Sequence, residues 1–486
     1  MYGGRVVYRS FLTIFLACAL QAIGAAPAGQ RLIRLDVSAT NTHGEPITNL
    51  QASDIQVRED GKARPIAFFR FQGSKRPVLP HAAGELFNPA PSPPLVILLD
   101  RWNERMMASA AAWLELGTAF QHMETVNNVF VYFLTPKGDL FPVHPLPGNE
   151  NEALHAAQVT PDQLRQKLDD AVKNLQGLRD LDILDPFQEV NTTFQALRVL
   201  GSQMAMLNGR KNFIWVTHGI PLTIQAIPSN DYVDLTPQVR NLCEGEARAQ
   251  VAFYDVDQST KGAGADPAGL SRQTLQMFSD LTGGRWYASD SADQALAEAH
   301  ADSLASYRIG YYSPVREKDK KLHKVKLDGP KGVRLVTRGG FLGDAPAPSP
   351  DQLETASFTN QVRSPFDATE IGMHAALSRK GAGAPVHMAL HINPADVMLT
   401  QNGGHYQGSL DVVVALYDQN SIKQAGAARR FPLDLTQAQL DQAGKDGLSL
   451  EEDFPVSGQP LKLRIMVFDR GMESLGSVTG NVPAAQ

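Results

Sequence analysis

The chain has 486 residues, 43% of them hydrophobic and 20% charged, room for about three domains of ~150 residues with cores of ordinary size. Its formal net charge of −6 gives no electrostatic basis for binding nucleic acid or an anionic membrane surface. The two cysteines, Cys18 and Cys243, are too few for a disulfide framework.

The chain opens with Arg5 and Arg9, an apolar run from Phe11 to Leu20, and an A-x-A at Ala26 to Ala28. That layout predicts a secretory signal peptide over residues 1–28 and a mature start between about Ala25 and Gln30. A lipoprotein acylated on Cys18 is the alternative. No later run approaches the ~20 apolar residues of a membrane span, so a secreted or periplasmic location is expected. Cys243, between "RNL" and "EGEARA", is expected to be a packed helical residue.

Residues 31–72 predict a small N-terminal β module. "RLIRLDVSAT" alternates apolar and polar residues, and "IQVREDGKARPIAFFRF" reads as a hairpin around Asp60-Gly61. A proline-rich linker is expected over residues 73–94. From 95 to 344 the rhythm changes. Apolar runs such as "LVILL", "VFVYFL", "NFIWVT" and "VAFYDV" alternate with helix-period segments, which predicts a sheet buried on both faces with parallel crossovers. Thr160 and Gln163 form a capping box with Pro161 at the first helical position. "SYRIGYYSP" and the hairpin "HKVKLDGPKGVRLVTRGGFL" are read as closing this domain or extending from it. The basic run Arg316 to Lys326 is read as a solvated hairpin. Residues 345–356 are a second linker, and 357–486 predict a β-sandwich with one short helix at "TQAQLDQAGKDG".

The strand "LVILLD" stops at a bare carboxylate, Asp100, before a polar turn and an apparent helix. α/β proteins place ligands at such strand ends. Asp100 and His218 could end neighbouring strands and pair directly, leaving a metal-free ligand face. The plainer alternative is that Asp100 caps the following turn and helix.

The architecture, together with "LDVSATNTHGEPITNLQASDIQVREDGKARPIAFF", "VILLDRWN", "RKNFIWVTHGIP", "LTGGRWY" and "LRIMVFDRGMESLGSVTGNVP", resembles the von Willebrand factor A-like proteins of secreted bacterial type. This is the VWFA-related domain family, found largely in acidobacteria. The resemblance implies an α/β class: a Rossmann-like von Willebrand A domain (doubly wound, mostly parallel sheet) flanked by N- and C-terminal β domains, without catalytic activity. It also implies the place of a metal-ion-dependent adhesion site, built from D-x-S-x-S, a Thr and a final Asp around octahedral Mg²⁺. Here Asp100 fills the first position, Trp102 and Glu104 stand where serines are usual, and Asn103 offers an amide oxygen one residue away. Thr193, with Thr192 beside it, falls at the Thr position, and His218 replaces the Asp. Imidazole makes a poorer Mg²⁺ cage, so a degenerate site with no cofactor is expected.

Other chemistry is sparse. His387 and His391 share one strand face in "HMALH", and Trp286 and Tyr287 are expected to pack on an edge strand. The expected function is a non-catalytic protein–protein binding role through Asp100, Asn103, Glu104, Thr192, Thr193 and His218, with an unknown protein partner. The alternatives are a structural or assembly component of the cell envelope and, remotely, a hydrolase using Asp100 and His218.

Overall fold

A computed structural model describes residues 30–73, 76, 78–90, 92–103, 110–175, 186–225, 231–258, 269–288, 291–314, 319, 321–343, 349–381, 383–418, 423–424, 427–456 and 462–484. The expected signal peptide with Cys18, and Glu104, lie outside these residues, as do residues 344–348 of the second linker and most of the basic run before Lys321.

The expected class, α/β with a Rossmann-like von Willebrand A domain, is corrected. Among the described residues there are six sheets, and five are antiparallel throughout. The sixth is mixed. The molecule is β-rich because outside residues 95–304 most of the chain forms antiparallel strands, some alternating as in Arg31–Asn41 and Val386–Ile392, paired both across hairpins and over long separations. Half-buried antiparallel ladders favour that alternation.

The mixed sheet runs, edge to edge, Arg285–Tyr287, Val251–Asp257, Lys211–Thr217, Leu95–Asp100, Val129–Leu134 and Leu140–His144. All its pairs are parallel except the last. Alternate side chains of a strand face opposite sides. Ile97, Leu99, Val131 and Ile214 therefore pack against the helices Ala110–Gln121, Pro161–Leu175 and Ala292–Leu304. Val96, Leu98, Phe213 and Trp215 face Pro186–Ala205, Thr236–Arg248 and Leu270–Thr282.

The N-terminal strands do not stand alone. Arg31–Asn41 pairs with Ser306–Ser313 and Val333–Val336, and Ile66–Phe71 lies on the other edge of Ser306–Ser313. Gln56–Glu59 pairs with Leu322–Asp328. Ile33, Leu35, Val57, Tyr307 and Ile309 share one core. The segment read as an extension of the middle region thus completes the N-terminal sheets, because neither half could bury its apolar face alone.

The C-terminal body packs a sheet of Leu86–Phe87, Met373–Ser378, Val386–Ile392 and Leu448–Phe454 against a second built on His405–Tyr417, Lys462–Asp469 and Ser474–Asn481. Leu86–Phe87 comes from the stretch read as a free linker. That stretch is pinned further by Arg76, which ion-pairs with Asp396 at 3.2 Å. Asn88 adds donations to the Ala368 and Ile371 carbonyls. The second linker gives way to the helix Pro350–Arg363, opened by a Ser349/Gln352 capping box.

Candidate functional site

Asp100 ends the central strand of the mixed sheet and is 3% exposed. Its Oδ1 accepts the backbone N–H groups of Trp102 and Asn103, both at 3.1 Å. This is the turn-capping role weighed for it above. Oδ2 accepts from Asn103 Nδ2 at 2.6 Å, Thr217 Oγ1 at 2.7 Å and Trp215 Nε1 at 3.1 Å. Burial pushes the Asp100 carboxyl up, and the bonds from Asn103, Thr217 and Trp215 pull it back only in part. Five donors meet a group with about four lone-pair sites.

The partners follow from strand parity. Leu98 and Asp100 face one side of the sheet, as do Phe213, Trp215 and Thr217 on the neighbouring strand. The register pairs Leu99 with Val216, so Thr217 stands level with Asp100. His218 is next in the chain and half-buried. The two-residue side-chain period puts Thr217 on Asp100, at 2.7 Å.

Asn103 carries the network onward. Its Nδ2 donates to Thr193 Oγ1 at 2.9 Å, and Thr193 donates to the Glu189 carbonyl at 3.0 Å. Trp102 Nε1 donates to the same carbonyl at 3.0 Å, so the residue in a serine position serves as a wedge. Gly138 (φ +82°) lets the neighbouring turn sit close, since a Cβ there would come within 2.9 Å of the Thr192 methyl and 3.3 Å of the Trp102 ring. Asp100, Asn103 and Thr193 are thus brought together, Thr192 packs beside them, and Glu104 lies outside the described residues. Trp215 and Thr217 were overlooked as site members. The alternation within "NFIWVT" was the available signal.

The other residues singled out have structural partners. His391 stacks on its cross-strand neighbour His374, centroids 4.6 Å apart, and His387 pairs with Asp453 at 2.7 Å. Arg272 lies over Trp286, 5.4 Å from the ring centroid, and Tyr287 donates to Glu298 at 3.0 Å. Cys243 is fully buried, which pushes its thiol well up.

A cavity of about 550 Å³ lies at the opposite, amino end of the parallel strands. Pro94, Asn128 and Arg210, each just before a strand, form part of its wall. Arg308 comes from the N-terminal body, Phe366 and Arg464 from the C-terminal one. Three of its four bases are matched by acids within the wall, while Arg210 bonds to Asn212, Tyr254 and the Gly283 carbonyl. Arg308 pairs with Glu370 and, at 3.3 Å, with Asp36. Lys462 pairs with Glu150 at 2.5 Å, and Arg464 lies 3.6 Å from Asp367. Pro89, Pro93, Pro365, Phe366 and Leu154 supply apolar surface, and Leu154 is 63% exposed. Nothing local in the sequence marked this place, since its walls come from three separated parts of the chain.

Among the described residues no helix is long and apolar enough to cross a membrane. No family model matches the chain, and no curated protein matches it. Among solved structures it is similar to the pilus adhesin SpaC from Lactobacillus rhamnosus GG, at 11% identity and a TM-score of 0.27, over 86% of this chain and 57% of that one. The open conformation of the same adhesin gives 10% identity and a TM-score of 0.26, over 92% and 57%. The human COPII-coat protein Sec24c gives 10% identity and a TM-score of 0.23, over 56% and 46%. The chain therefore spans just over half the length of the adhesin. Likenesses this slight show neither a shared fold nor a von Willebrand A domain.

Proposed function

We propose that the protein is an exported, non-catalytic binding protein that holds a partner polypeptide, and that the partner enters the cavity at the amino end of the mixed sheet. The composition of that cavity carries the reading. Its volume is that of a ligand site, and its walls join apolar surface to acids that are already paired with Arg308, Lys462 and Arg464. A ligand charge that broke the Arg308 pairs would leave a buried charge behind, at a cost of several kcal/mol. An uncharged apolar stretch of polypeptide meets no such cost. Asp100 is assigned a structural role, with neither catalysis nor Mg²⁺, because an incoming ion would have to displace the donors that surround it. Export rests on the basic, apolar and small-residue layout of residues 1–28.

A photo-crosslinking amino acid placed at Leu154 in the producing cell tests this reading, with Tyr232, 74% exposed on a separate hairpin, as the control. A polypeptide adduct at Leu154 and not at Tyr232 is expected. Adducts confined to Tyr232, or a small-molecule adduct at Leu154, would refute it.

A further inference from the structure

The Asp60-Gly61 turn, on the N-terminal sheets, gathers an unusual set of side chains. Asp60 and Gly61 have φ of +49° and +79°, the left-handed pair that a two-residue hairpin turn requires. The turn is locked to the neighbouring strand. Asp60 N–H donates to the Lys324 carbonyl, and Lys324 N–H donates to Asp60 Oδ1, both at 2.9 Å. This brings Glu59, Asp60 and His323 together, so that each offers one ligand atom within 4.8 Å of the others.

Glu59 is the informative member. It is 1% exposed, Arg64 donates to its Oε1 at 3.0 Å, and its Oε2 has no hydrogen-bond partner. A buried carboxylate oxygen without a donor is costly. The buried Tyr311 hydroxyl lies beside this carboxylate, and burial first and then the Glu59 charge push its phenol up. The His323 ring is 7% exposed and held by stacking on Phe341, centroids 5.2 Å apart. Its Nδ1 faces Asp60 Oδ2 at 2.7 Å, and its Nε2 lies 3.4 Å from Asp319 Oδ2. That nitrogen makes no hydrogen bond here, but Asp319 is near enough that a small approach would orient the ring as metal-binding histidines are oriented.

We propose that Glu59, Asp60 and His323 form a site for a divalent transition-metal ion of the Zn²⁺ type, with Asp319 as the positioning residue behind the imidazole. One nitrogen and two carboxylate oxygens suit Zn²⁺, and a fourth position stays open for water or a partner's group. Ca²⁺ requires six to eight oxygens and is not matched. Three carboxylates against the single guanidinium of Arg64 leave about two negative charges when the imidazole is neutral, which a divalent ion balances.

Calorimetric titration of the chelator-treated full chain with ZnCl₂ tests the site. Saturable one-to-one binding is expected, at least tenfold weaker in His323→Ala, Glu59→Gln and Asp60→Asn, and unchanged in His387→Ala. Asparagine tolerates the left-handed conformation, so Asp60→Asn preserves the turn if either other variant fails to fold. Asp319→Asn should weaken binding less than loss of a ligand does. An absence of saturable heat at millimolar Zn²⁺, or equal binding by wild type and Asp60→Asn, would overturn the proposal and leave an ordinary histidine–carboxylate ion pair.

Discussion

At the carboxyl end of the parallel strands Asp100 is buried against five hydrogen-bond donors, and Asp257, which ends a second buried strand, faces Arg272 at 3.4 Å. At the amino end four acids and four bases line an open cavity, Asp36, Glu150, Asp367 and Glu370 against Arg210, Arg308, Lys462 and Arg464. Strand carboxyl ends host ligands where loops leave polar groups unspent. Here the chain spends that polarity on its own turn and on the next strand. The amino end acquires its cavity from outside, because two β bodies close over it. Where a ligand can enter is decided by which polar groups keep free capacity, and strand direction alone does not settle that.

The largest effect should come at the amino end. Arg308 is 2% exposed and holds Asp36 and Glu370 across two bodies. Arg308→Ala should therefore cost about 3–5 kcal/mol in urea unfolding by stranding both acids. A loss below about 1 kcal/mol would mean that the bodies are not joined there. Asp100→Ala should follow, at about 2–4 kcal/mol, since buried donors lose their acceptor. If it instead left stability unchanged and abolished partner binding, the contrast between the two ends would be reversed.

A smaller effect depends on pH. Glu246 is 5% exposed and packs against Gly201, where a Cβ would come within 2.1 Å of its Oε1. Burial raises its carboxyl from the ordinary 4.5 to about 7, opposed by the charge of Lys211. The folded state then binds the proton more tightly than the unfolded one. Stability should fall as pH rises from about 4.5 to about 7. In Glu246→Gln this slope should flatten, leaving the variant more stable at pH 8 by on the order of 2 kcal/mol. Denaturant midpoints across that range, compared between the two proteins, check the sign.

The smallest change in stability, within about 0.5 kcal/mol, is expected for Leu154→Arg at the exposed cavity wall. It should nevertheless lower partner crosslinking from a neighbouring position such as Ala153. Undiminished crosslinking would move the partner elsewhere.

Much of the local structure was legible in the residues. The Thr160/Gln163 box forms with reciprocal bonds of 3.3 and 2.9 Å and opens Pro161–Leu175. The Asp60-Gly61 turn joins Gln56–Glu59 to Lys62–Arg64, and four apolar runs became the fully buried strands. Each depends on residues within one turn or one pleat of each other, where propensity and side-chain period act directly. Of the site, the acid and its place at a strand end were legible, and so was the alternative that it caps a turn. Its bond to Thr217 was not, because that depends on the register between strands more than a hundred residues apart.

The sequence by itself therefore determined the buried strands of the mixed sheet, their faces and the turn chemistry, since these arise from short-range sterics and hydrogen bonding. The tertiary structure alone decided that Arg31–Asn41 completes a sheet with Ser306–Ser313, that a proline-rich stretch pairs with a distant strand, and that a cavity opens at the junction of three bodies. These outcomes depend on how much apolar surface each partner leaves uncovered, a property of the folded whole that no window of neighbouring residues contains.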